Sequence, residues 1–93
     1  MKSRRQDESR TQVHGAMMFA LGSYMEQESK KVDQWRDQGI GQLYAHLSHE
    51  LEEIRANIKD DDLTWLVHNA ADATSLAAIL LAKALEMTGT KIA

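Results

Sequence analysis

No proline interrupts the 93-residue chain, and its five glycines are scattered. The usual breakers of a helix are therefore nearly absent, and apolar residues at helical spacing can run for many turns. Three such runs are visible. The first predicts a helix from about Asp7 to Gln34, with Val13, Met17, Ala20, Leu21 and Tyr24 on one face. Gly15 and Gly22 weaken it by roughly 1 kcal/mol each without ending it. The stretch RDQGIGQ, with two glycines close together, reads as the turn that follows.

The second run predicts a helix over Ile40 to Lys59, striped by Leu43, Leu47, Leu51, Ile54 and Ile58. The acids of KDDD, Asp60 to Asp62, suit the N-terminus of a third helix, where they meet free backbone N–H groups and the positive end of the dipole. That helix continues to about Met87, with Leu66, Ala70, Ala73, Ala77, Leu80, Ala84 and Met87 in a stripe, and Gly89 as its stop. The expectation is a single all-α domain over 1–93, with 1–8 a flexible N-terminus and 89–93 a tail. Three amphipathic helices in so short a chain need another surface to close a bundle. A homodimer or a dimer of dimers is the simplest supplier.

Composition narrows the function. A net charge of -3 argues against a general nucleic-acid binder, which presents a basic field. The opening MKSRRQDESR lacks the apolar core of a signal peptide. Without cysteine there is no disulfide and no thiolate metal site, in keeping with a reducing cytoplasm. The uncharged stretch around HNAADATSLAAILLAKAL approaches the length of a membrane span, but Asp72 interrupts it, and a soluble protein is expected.

Asp72 also poses the main chemical question, because it is the only Asp, Glu, Lys or Arg between Asp62 and Lys83. A carboxylate buried on an apolar helix needs compensation, either from a lysine such as Lys31 or Lys83 or from a cation shared with other acids. On the second helix Glu50 and Glu53 stand one turn apart, and Glu50 borders the apolar stripe, about 60° from Leu47 and 40° from Ile54. Asn69 and Asp72 repeat that spacing on the third helix. If the two helices pack antiparallel the pairs can meet, and four hard oxygen-bearing side chains suit Mg²⁺ or Mn²⁺. Glu52 faces another side. His46, His49, Glu50 and Glu53 share part of a face, yet neither the Glu-x-x-His of ferritin-like di-iron bundles nor the i, i+4 histidine pair of zinc proteases is present. His14 and His68 read as polar residues at packing edges.

The order Glu50-x-x-Glu53, fifteen residues, Asn69-x-x-Asp72 resembles the MazG-like superfamily of all-α nucleoside triphosphate pyrophosphohydrolases, whose pattern is EExxE followed on the next helix by ExxD. NAADATSLAAILLAKAL looks like the second motif, and YMEQESKKVDQW is similar to the Lys-then-Trp stretch of some small, phage-like members. The resemblance covers Met17 to Leu85. It implies that Glu50, Glu53 and Asp72 are catalytic and that, with Asn69, they hold Mg²⁺ or Mn²⁺. It further implies that Lys31 meets a phosphate, that Trp35 stacks on a base, and that a nucleoside triphosphate is cut to its monophosphate and pyrophosphate. Two positions depart from the pattern: His49 replaces the first Glu of EExxE, and Asn69 replaces the Glu of ExxD. These departures favour the alternative of an inactive relative, a helical oligomerisation or binding module.

Overall fold

A computed structural model describes residues 4–27 and 35–90. Three long helices account for most of them: α1 (Arg4–Gln27), α2 (Ile40–Lys59) and α3 (Leu63–Met87), with a single 3-10 turn at Trp35–Asp37 before α2. The described residues are all-α, as the sequence predicts. The bounds of α2 agree with the sequence reading to the residue. α1 starts three residues earlier than Asp7, so positions 4–8 are helical where a flexible N-terminus was expected. The expected continuation of α1 through 28–34 lies outside the described residues.

The α2 and α3 helices form an antiparallel hairpin, and its turn is built from the aspartates. Asp61 adopts a positive φ of 53°. Around it the Asp62 N–H reaches the Asn57 carbonyl at 2.9 Å and the Asp61 N–H reaches that of Ile58 at 3.4 Å, the bond pattern of a Schellman ending. The next residue begins α3: Asp62 Oδ1 accepts from the Trp65 N–H at 3.2 Å. Gly89, at φ 75°, closes α3 in the same way, with the Thr90 N–H on the Leu85 carbonyl at 2.9 Å. Because an L-residue resists the left-handed region, Asp61→Gly is expected to stabilise the fold by roughly 0.5–1 kcal/mol, read from urea unfolding. A loss of stability would mean that the Asp61 side chain contributes more than its backbone conformation costs.

α3 is the central element, with α2 packed on one side of it and α1 on another. A buried bond fixes the α1 contact: the Ser75 hydroxyl, fully enclosed, donates to the Ala20 carbonyl at 3.0 Å. Lys83 Nζ donates to the Arg36 carbonyl at 2.8 Å, tying the 3-10 turn to the same helix. The molecule measures 40 × 40 × 23 Å, and its short dimension is about two helix diameters. Two layers cannot enclose much, and among the described residues the buried apolar side chains are only Ala20, Leu43 and Ala73. Along α1, residues 4–19 are all exposed. By length and composition α3 is also apolar enough to cross a membrane.

Candidate functional site

The hairpin sets the acids of its two helices within electrostatic reach of one another. α2 carries Glu50 and Glu53 on the flank beside Leu43 and Ile54, and α3 runs back past them carrying Asp72. Glu50 is half-buried, and its Oε2 is shut off from water without accepting any hydrogen bond. Its carboxyl is pushed above the ordinary glutamate range. Burial is the largest cause, followed by the negative charges of Glu53 and Asp72, while His49 opposes the shift and a hydrogen bond with the Glu53 side chain adds to it. Glu50, Glu53 and Asp72 therefore share one electrostatic environment, as the spacing predicts.

Asp72 corrects the expectation of a buried acid, because it is exposed. At about 100° per residue it stands some 100° from the buried Ala73, on the flank of α3 shared with the acids of α2. The desolvation cost anticipated for it falls on Glu50 instead. The proposed compensation by Lys83 does not describe that lysine's bond, which goes to the Arg36 carbonyl.

The two departures from the acidic pattern each make a specific contact. His49 Nε2 meets Glu53 Oε1 at 2.9 Å, one turn along α2. Asn69 is buried, and its Nδ2 donates to Asn57 Oδ1 at 2.7 Å, across the hairpin. Asn57 is absent from the sequence-derived site. Its signal was there to read, since it lies seven residues after Glu50 and four after Glu53, on the same flank of α2. Ser75 is likewise absent from the residues singled out in the sequence, although it is fully enclosed in the fold. Lys31 lies outside the described residues, and so does the side chain of Trp35, whose backbone opens the 3-10 turn. Glu52 is exposed, as are His14, His46 and His68.

The donor chemistry, carboxylate oxygens with one amide carbonyl, suits a hard divalent cation. Among the described residues, however, no three side chains of His, Cys, Asp or Glu converge closely enough to hold a metal ion as they stand. No protein-family model matches the chain, and neither a curated protein nor a solved structure matches it.

Proposed function

We propose that the chain is a Mg²⁺- or Mn²⁺-dependent, MazG-like nucleoside triphosphate pyrophosphohydrolase of the cytoplasm. It would add water to an NTP or dNTP and release the monophosphate and pyrophosphate. The observation that carries this reading is Glu50: a carboxylate oxygen sequestered without a hydrogen bond, beside two further carboxylates, is an arrangement that a divalent cation would relieve. In this reading Glu50, Glu53 and Asp72 hold the metal with the carbonyl oxygen of Asn69. The cation would neutralise the triphosphate and help activate water. Lys31 would meet a phosphate and Trp35 a base.

A second reading has its own support. The Asn69 amide is engaged by Asn57, and Glu53 is engaged by His49. Both contacts suit a relative whose acids have become structural, serving a helical oligomerisation or binding module.

A panel of NTPs and dNTPs with Mg²⁺ or Mn²⁺, scored for pyrophosphate release, separates the two. Release from at least one nucleotide is expected, with loss of about 10²-fold or more in Glu50→Gln and Asp72→Ala while helicity is retained. His49→Gln frees Glu53 and is expected to tighten Mn²⁺ binding. If no nucleotide is cut and neither metal changes the melting temperature at millimolar concentration, the hydrolase reading fails and the module remains.

A further inference from the structure

Among the described residues three large aromatic side chains stand more than half exposed: Phe19 on α1, Tyr44 on α2 and Trp65 on α3. Phe19 belongs to the exposed arm of α1. Tyr44 lies about 100° to one side of the buried Leu43 and Glu53 about 80° to the other, so it turns away from the acids. Trp65 does not. Measured from the buried Ala73, it lies about 80° to the same side as Asp72, at about 100°, and Asn69, at about 40°. Trp65, Asn69 and Asp72 therefore follow one another along one flank of α3, at i, i+4 and i+7. Asp72 acts electrostatically on Glu50, so this is the flank that the acids of α2 adjoin.

The indole is held in place. The Trp65 N–H donates to Asp62 Oδ1 at 3.2 Å, which fixes its backbone in the first turn of α3. One turn on, the His68 ring meets the indole with centroids 5.4 Å apart and planes tilted by 60°, a favourable arrangement for two aromatic rings. Trp65 nonetheless remains 55% exposed.

We infer that Trp65 is a stacking platform for the base of a nucleotide whose phosphates lie toward Glu50, Glu53 and Asp72. The inference rests on the hydrolase reading for the phosphate end and adds the base end, separately from the role given to Trp35. Seven residues separate Trp65 from Asp72, about 10 Å of helix rise, a span that one nucleotide covers from base through ribose to phosphates. Charge sets the direction. Asp60, Asp61 and Asp62 stand at the start of α3, beside Trp65, and their carboxylates repel a triphosphate from that end. An uncharged base meets no such barrier. Stacking needs a π-face and no particular hydrogen-bond pattern, so the platform adds affinity without selecting among bases.

Binding and fluorescence together test it. Trp65→Ala should weaken the binding of ATP, GTP, CTP and UTP with Mg²⁺ by about 10-fold or more, the scale of one stacked base. KM should rise by a similar factor while kcat changes by less than about 3-fold, because the indole is remote from the reacting phosphorus. Tripolyphosphate, which has no base, should bind the variant as it binds the native chain, and Trp65→Phe should restore much of the nucleotide affinity. The chain has two tryptophans, so in Trp35→Phe the emission comes from Trp65 alone. A nucleotide should quench it saturably, whereas tripolyphosphate should displace the nucleotide and restore the emission. A Trp65→Ala chain that melts lower yet binds nucleotides as tightly as the native chain would overturn the inference and leave the hydrolase reading standing. Unquenched emission from a Trp35→Phe chain that binds the nucleotide by calorimetry would do the same. If the native chain binds no nucleotide, both fail together.

Discussion

Leu43→Ala is expected to destabilise the protein by about 2–5 kcal/mol, the range for truncating a buried leucine. Leu43 is 1% exposed. It sits in the first turn of α2, and the antiparallel register that sets Asn57 beside Asn69 places it level with the Lys83 region of α3. There Lys83 holds the 3-10 turn through the Arg36 carbonyl. α2, α3 and the 3-10 turn therefore meet in this region. Domains of this size are stabilised by roughly 5–15 kcal/mol in total, so the loss is a large fraction. Urea unfolding at a fixed protein concentration measures it, since association would itself shift the midpoint. Met18→Ala, on the exposed arm of α1, is the comparison and should change stability by about 0.5 kcal/mol or less. Equal effects at the two positions would mean that Leu43 is not the centre of the core.

That contrast marks what the chain's periodicity reveals. Apolar spacing locates helices well where punctuation is strong: Gly39 before α2 and the aspartates after it set its limits. The Gly39 N–H even finds a partner in Gln42 Oε1 at 3.0 Å. Spacing was less able to say which side of α3 faces inward, because α3 is apolar on most of its circumference. The stripe read from its leucines and alanines is only partly the packed one. Ala73 is buried, while Ala77 and Met87 are exposed. The groups that fix its orientation are polar, Asn69 and Ser75, and their burial depends on partners at Asn57 and Ala20 that lie 12 and 55 residues away in the chain. Hydrophobic pattern carries no information about such pairs. That Glu53 and Asp72 act electrostatically on Glu50 was legible because it needs only i, i+3 spacing on α2 and an antiparallel turn. Which of them loses its water was not legible, because a rotation of α3 by one residue exchanges Asp72 with Ala73.

Asn69 is where the two functional readings separate most sharply. Asn69→Asp removes the donor that now meets Asn57 Oδ1 at 2.7 Å and places an anion at a position only 8% exposed. The Asn57 amide can turn to offer its own N–H groups, which offsets part of the loss. The added charge nevertheless joins a cluster whose mutual repulsion already raises the Glu50 pKa. Without divalent metal the variant should lose roughly 3–5 kcal/mol, the scale of an uncompensated buried charge. With Mg²⁺ or Mn²⁺ at millimolar concentration the two readings diverge. If the acids form a metal site, a fourth carboxylate tightens binding, and metal held only by the folded state recovers much of the lost melting temperature by mass action. Asn69→Leu supplies the control: it leaves Asn57 without its partner, costs about 1–3 kcal/mol, and should gain nothing comparable from metal. A melting temperature for Asn69→Asp that stays equally low with and without metal would leave Asn69 as a structural clasp between the two helices and remove it from the proposed ligand set.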